Sequence, residues 1–303
     1  MTRFAVLGAG GVGGLLAAAL SRAGASVQVV AREPTAAVIS AQGISVSSRV
    51  LGEFRAEPRA VTELREPVDA LIVATKALGL DAALDRIVEP PELVVPLLNG
   101  LDHLARLRDR FGTDAVAAAV IRVESDRPAP GLIVQTSPSV RIDMAAEEPQ
   151  VAARLPAVAE GLTGAGVPTV IGTSEAQVMW SKLVRLNALS ATTTVTGQSI
   201  GFVRSDPDWR ETLTACVKET AAVATADGAQ VDPADTLREL EEAHPGLGSS
   251  MQRDLAAGRT PELDAIQGSV MRAAARNGVE CPTVTRLAGE IARMAGIDAP
   301  AVG

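Results

Sequence analysis

The first fourteen residues constrain the chain more than any other stretch. Phe4-Ala5-Val6-Leu7 is a short apolar run that drives into Gly8-Ala9-Gly10-Gly11-Val12-Gly13-Gly14, and an alanine-rich helical segment follows from Leu15 to Ala23. This pattern reads as strand, tight turn, helix. Gly8, Gly10 and Gly13 fall in the spacing G-x-G-x-x-G, and a second strand follows at Ser26-Val27-Gln28-Val29-Val30. Each glycine has its own physical reason. Gly8 can take the backbone conformation of the sharp turn, Gly10 keeps no side chain between a pyrophosphate and the backbone, and Gly13 lets the helix lie close on the strand. Gly8, Gly10, Gly11, Val12 and Gly13 are therefore the candidate dinucleotide-binding loop, with the helix N–H groups and dipole facing the phosphates. An ordinary βα turn of an α/β protein would show the same pattern without a ligand.

The end of the second strand bears on which dinucleotide binds. An acidic residue there pairs with ribose hydroxyls, whereas an arginine accepts the 2′-phosphate of NADP. The chain reads Val30-Ala31-Arg32-Glu33. A guanidinium matches a phosphate in charge and in fork geometry, so Arg32 points to NADPH. Glu33 leaves NAD open.

With 303 residues, 47% hydrophobic and 21% charged, the chain has material for two globular domains. The net charge is −8 and the basic residues are scattered, which argues against nucleic acid and anionic membranes as partners. Two cysteines without a C-x-x-C pair, and two histidines in no metal spacing, give no zinc site and no structural disulfide. No apolar run reaches the length of a membrane span, and Met1 leads straight into a strand, so the expected location is the cytoplasm. The chain has no tyrosine, which excludes a tyrosine proton donor of the Tyr–Lys kind.

Along the chain, short β-rich runs alternate with helical stretches to about residue 170. Val68–Ala74 and Leu93–Leu98 are near-continuous apolar strands, followed by Thr75-Lys76-Ala77 and Asn99-Gly100 respectively. Runs at 131–136 and 139–144 read as an antiparallel pair, and 168–171 as a last short strand. From Glu175 on the pattern is helical: 175–191, 209–227, 233–242, 247–257, 262–277 and 283–295. The expected fold is α/β: a doubly wound, parallel Rossmann sheet over 1–170 and an all-α domain over 171–303. In open α/β sheets ligands bind at the carboxyl ends of strands, which singles out the glycine loop, Arg32, Lys76 and Asn99.

Three stretches of the helical half could carry chemistry. In Val178–Asn187 apolar residues occur on most sides of the helix, and Lys182 sits among them. Burial disfavours a charged ammonium, which suits a general acid, although a lysine can also run its stem along apolar surface and keep its head in water. Gly248-Ser249-Ser250 looks first like an N-cap, with Asp254 as a first-turn acid. In Gly258–Asp264, Thr260, Pro261 and the acids after them form a complete helix start, which accounts for Glu262 without catalysis.

Taken together and in order, these features resemble the ketopantoate reductase (2-dehydropantoate 2-reductase) family, within the 6-phosphogluconate dehydrogenase-like superfamily. The likeness includes the glycine fingerprint, Arg32, Thr75-Lys76-Ala77, Asn99-Gly100, Trp180-x-Lys182-Leu183, Ser249-Ser250-Met251 with Asp254, Gly258-Arg259 and Glu262-Leu263-Asp264. The resemblance implies an NADP-dependent oxidoreductase that moves hydride from NADPH to the keto carbon of a small 2-oxo acid. Lys182 would be the general acid, and Glu262 would hold the substrate's hydroxyl and help orient Lys182. Ser250 would bind the substrate carboxylate, Asn99 would lie between cofactor and substrate, and Lys76 would contact the cofactor ribose side. One departure stands out. The family helix commonly carries asparagines four and eight residues after the lysine, where this chain has Leu186 and Ser190. Asn187 is displaced by one position, about 100° round an α-helix. A site that loses hydroxyl-pairing partners changes what it accepts, so a less polar 2-oxo acid competes with ketopantoate. The same residues are also compatible with an NAD-linked dehydrogenase and with a non-catalytic NADP(H)-binding protein. The apolar helices of the second half fit a homodimer interface as well as a core.

Overall fold

The computed structural model describes residues 2–302. The chain forms two units, Met1–Leu98 with His103–Val178, and Asn99–Asp102 with Met179–Gly303.

The elements of the first unit, in chain order, are β1 (Arg3–Leu7), α1 (Gly11–Arg22), β2 (Ser26–Val30), α2 (Glu33–Gln42), β3 (Ile44–Ser48), β4 (Gly52–Ala56), β5 (Arg59–Val61), β6 (Ala70–Val73), α3 (Leu80–Leu84), β7 (Val94–Pro96), α4 (His103–Phe111), β8 (Ala118–Arg122), β9 (Ser125–Ala129), β10 (Leu132–Gln135), β11 (Arg141–Ala145), α5 (Pro149–Ala152), α6 (Leu155–Gly164) and β12 (Thr169–Ile171). Five strands make a parallel sheet in the order β5-β2-β1-β6-β7, with Phe4 facing Val27 on one side and Ala70 on the other.

Alternation along these strands builds two cores, one per sheet face. Phe4, Val6, Val29, Ile72 and Val95 belong to one core, and Ala5, Leu7, Val30, Leu71, Val73 and Val94 to the other. The second core is closed by Leu64, Leu80, Leu84, Ile87 and Leu107. The first holds Leu15, Leu16 and Leu20 of α1, Leu155, Val158 and Leu162 of α6, and Ile44, Val46 and Ile133 from a second sheet. A burial pattern that is apolar on both faces is what makes the opening strands near-continuous in hydrophobicity.

That second sheet, β4-β3-β10-β9, departs from the reading of one sheet. The runs at 131–136 and 139–144 do not pair with each other. β10 lies between β3 (parallel) and β9 (antiparallel), whereas β11 lies between β12 (parallel) and β8 (antiparallel) in a third sheet. A buried amide holds β10 in its place. Gln135 Oε1 accepts from Ser48 Oγ on β3 at 2.7 Å, and its Nε2 donates to Ser137 Oγ at 2.8 Å. Burying that side chain is favourable only where both ends find partners.

The second unit is helical: the greater part of α7 (Glu175–Thr196), then α8 (Ile200–Ser205), α9 (Pro207–Ala226), α10 (Pro233–Glu242), α11 (Ser250–Ala256), a π-helical turn (Asp264–Gly268) running into α12 (Ser269–Asn277), and α13 (Pro282–Ala295). Helix α9 packs against α8, α10, α12 and α13. Helix α7 outruns the expected 175–191 by five residues (196 − 191), through a threonine-rich tail. Thr192, Thr193 and Thr196 each donate a side-chain hydroxyl to the carbonyl four residues back, which keeps those hydroxyls satisfied in the interior. Among the described residues no helix is long and apolar enough to cross a membrane.

Both cysteines lie in this unit, buried and unbridged. Burial pushes the Cys216 thiol up to about 12 and also raises Cys281. The thiolate is the reactive form, so at pH 8 neither thiol should react with a disulfide reagent in the folded protein, and both should react in urea. Labelling of the native chain within minutes would contradict this packing.

Candidate active site

The glycine loop has the shape a pyrophosphate requires. Gly8 turns with φ of +101°, and a Cβ there would sit 2.9 Å from the Ala74 carbonyl oxygen. A Cβ on Gly13 would lie 1.9 Å from the Gly8 oxygen, so the helix rests directly on the turn. Gly10, the N-cap of α1, faces open space with nothing within 4 Å of its missing side chain. The first turn of α1 carries no acidic residue, which keeps its N-terminal field favourable to an anion. At these three positions a side chain is excluded at Gly8 and Gly13, and open space is left over Gly10. Arg32 is exposed as the N-cap of α2, and Lys76 is exposed just past β6.

Within the second unit Lys182 and Glu262, two of the residues singled out from the helical half, meet at Asn99. Lys182 Nζ donates to Asn99 Oδ1 at 2.8 Å, and Asn99 Nδ2 donates to Glu262 Oε2 at 3.1 Å. All three side chains are half-buried. Their separation in sequence is large, 83 residues from Asn99 to Lys182 and 163 to Glu262, so tertiary structure alone brings them together. The arrangement fixes the amide. An Asn whose N–H₂ meets a carboxylate must turn its carbonyl oxygen toward the ammonium.

Each member is held from behind. Trp180, fully buried two residues before Lys182, donates its indole N–H to Asp227 Oδ2 at 2.9 Å and pins α7. The turn that carries Asn99 is tied to the helix after Glu262 through Asp102 and Arg272, 2.7 Å apart. Burial opposes the Arg272 charge, but bonds to Asp264 and Asp102 outweigh it and the guanidinium is held above its ordinary value. The Asp102–Arg272 support had no signal in local spacing, because the two lie 170 residues apart.

Two local readings are corrected. Asp254 is not a first-turn acid. It sits at the far end of the short α11, buried, and accepts from Arg259 Nε at 2.8 Å, closing the loop that leads to Glu262. The helix after that loop starts later than Thr260, since Thr260, Pro261 and Glu262 are irregular and a π-turn opens at Asp264. Glu262 stands directly before the first helical residue, Leu263, with its carbonyl accepting from the Ile266 N–H at 3.1 Å, while its carboxylate goes to Asn99. Ser249 does cap α11, in a capping box with Gln252, and Ser250 is the exposed first helical residue outside the Lys182–Asn99–Glu262 chain.

Asn187 is fully buried and donates to Thr220 Oγ1 at 2.8 Å. Ser190 accepts from Gln267 Nε2 at 3.0 Å and donates to the Asn187 carbonyl at 3.2 Å. Both polar groups are thus committed to the interior. Leu186, one turn beyond Lys182 on the same side of α7, is half-buried.

Comparison with known proteins matches the family described as Ketopantoate reductase PanE/ApbA over residues 4–148, and its C-terminal counterpart, Ketopantoate reductase PanE/ApbA C terminal, over 176–295. A 2-dehydropantoate 2-reductase from Caulobacter vibrioides is 31% identical over 294 residues, covering 93% of this chain and 95% of that protein. The crystal structure of 2-dehydropantoate 2-reductase from Geobacter metallireducens has a TM-score of 0.89 at 24% identity, covering 96% of this chain and 99% of that one. D-mandelate dehydrogenase with NADH and anilino(oxo)acetate has a TM-score of 0.87 at 20% identity, covering 97% and 98%. At these identities the structural matches speak for the fold.

Proposed function

The chain belongs to the ketopantoate reductase family of oxidoreductases, and on that premise we propose that it uses NADPH to reduce a 2-oxo acid to a 2-hydroxy acid, with 2-dehydropantoate (ketopantoate) as the leading substrate. Pantothenate biosynthesis is then its setting. The observation that carries this reading is the Lys182–Asn99–Glu262 chain.

NADPH bound on the glycine loop supplies the hydride. The rest falls to side chains. The Lys182 ammonium attracts the charge that builds on the carbonyl oxygen and then delivers a proton from Nζ to the alkoxide. Asn99 aims Nζ by accepting one of its protons, and Glu262 prevents the amide from flipping. Glu262 also offers an acceptor to a substrate hydroxyl, and Ser250 offers a donor to the substrate carboxylate. Arg32 supplies the positive charge for the 2′-phosphate.

A second reading has its own observation. With Leu186 one turn beyond Lys182 on the same side of α7, and Asn187 and Ser190 bonded inward, a less polar 2-oxo acid suits this face better than the hydroxylated ketopantoate. A spectrophotometric screen of 2-oxo acids, ketopantoate and 2-oxoisovalerate among them, following NADPH consumption, separates the two. Oxidation of NADPH with one or the other is expected. No oxidation with any 2-oxo acid would leave a nucleotide-binding protein and refute the proposal.

A further inference from the structure

The strand β9 was invisible in the sequence, and its polar residues Ser125 and Arg127 are unused by the reaction above. They stand two apart on a strand whose register with β10 shifts between Asp126 and Ala129, so their contacts place them rather than alternation. Ser125 meets the glycine loop: its hydroxyl donates to the Gly11 carbonyl at 2.8 Å, and a Cβ on Gly11 would lie 2.0 Å from the Ser125 carbonyl oxygen. The strand is thus in backbone contact with the first residue of α1. Further along the strand, Arg127 Nη1 reaches Thr35 Oγ1 at 3.4 Å. Thr35 lies in the first turn of α2, where its N–H donates to the Arg32 carbonyl at 2.9 Å. One strand therefore touches both the glycine loop and the turn that Arg32 caps.

The two arginines at that end stand outside the ion pairs of the described residues. Arg3, Arg59, Arg108, Arg141 and Arg272 are all ion-paired. Among the described residues neither Arg32 nor Arg127 is, although Glu33 and Asp126 are their chain neighbours. In a chain with net charge −8, two arginines brought to one turn without a carboxylate partner form a local site for an anion.

We propose that Arg127, presented by β9 over the first turn of α2, is the second guanidinium for the 2′-phosphate of NADPH and shares with Arg32 the discrimination against NADH. The inference rests on reading the first unit as an NADPH site and is independent of the 2-oxo acid. The phosphate monoester is the one group that distinguishes the two nucleotides, and it carries enough oxygens to accept from both arginines. Thr35 restrains the Arg127 side chain, and the Ser125–Gly11 contact sets its distance from the phosphate loop.

Equilibrium binding of NADPH and of NADH to the full chain, without substrate, tests this. Arg127→Ala should weaken NADPH by about tenfold or more and leave NADH nearly unchanged. Arg127→Lys, which keeps charge but loses the fork, should fall between, and Arg32→Ala with Arg127→Ala should bring the two affinities close to equality. Three results would overturn the proposal: an Arg127→Ala protein with the wild-type NADPH-to-NADH ratio, an equal loss for both nucleotides (the signature of a merely structural strand residue), or a wild type that does not prefer NADPH. If NADPH binds as expected but no 2-oxo acid is reduced, the reductase reading fails while this one stands.

Discussion

Replacing Lys182 with alanine is expected to lower kcat for 2-oxo acid reduction by about 10²–10⁴-fold, the usual weight of a general acid, with NADPH affinity nearly unchanged. The split between the two readouts follows from where the groups lie. The nucleotide candidates Gly8 to Gly13 and Arg32 are in the first unit, and Lys182 is bonded to Asn99 within the second. Lys182→Arg separates the two roles given to the ammonium. A guanidinium keeps the positive charge but holds its protons too tightly to donate near neutral pH. Substrate KM should therefore recover in Lys182→Arg while kcat stays low. Glu262→Gln should lose less than Lys182→Ala, because a glutamine oxygen can still accept from Asn99 Nδ2. Stopped-flow traces of NADPH oxidation and fluorescence titration of NADPH check these results. An alanine variant that turns over at the wild-type rate would end the case for Lys182 as proton donor.

How much of this could be read from the chain differs by element, and the differences have physical causes. The glycine loop, β1, β2 and β6 were legible because strands buried on both faces write a nearly unbroken apolar run. Most of the helices of the second half were legible from their breaks, such as Pro233 and Pro282 at helix starts and Gly278 and Gly296 at their ends. β4 and β9, with sequences GEFRA and SDRPA, were not legible. They are largely exposed and write no apolar run, and the hairpins they form, β4 on β3 and β9 on β10, join one sheet only because β10 pairs with β3, 87 residues away (132 − 45). The same limit explains the false pairing of 131–136 with 139–144: local spacing suggested a hairpin, and a buried glutamine on β10 joined it elsewhere. In the candidate site, Lys182 and Glu262 were singled out individually. Asn99 was singled out by its place at the carboxyl end of a strand, but its bonds to both Lys182 and Glu262 were not legible, since no local pattern links residues 83 and 163 apart. Asp254 was misjudged because its partner, Arg259, lies beyond the end of its helix.

Gly100→Ala should be among the most damaging single changes, although it removes no functional group. Gly100 has φ of +84°, a region that costs an alanine about 1–3 kcal/mol. More important, a Cβ there would lie 1.7 Å from the Ala265 carbonyl oxygen. Ala265 belongs to the π-turn that follows Glu262, and backbone cannot move aside as a flexible side chain can. Relief requires the 99–102 turn to separate from residues 262–268. That motion carries Asn99, the next residue in the chain, away from both Glu262 and Lys182. The variant should therefore lose stability and kcat together. Gly278→Ala is the control, since Gly278 also has a positive φ, +64°, but nothing within 4 Å of the added carbon. It should bear the conformational cost alone and keep its activity. Urea midpoints and kcat for the two proteins decide the matter. If Gly100→Ala is no less stable than Gly278→Ala and turns over normally, the close contact between this turn and the π-helical turn does not hold the Asn99 amide in place.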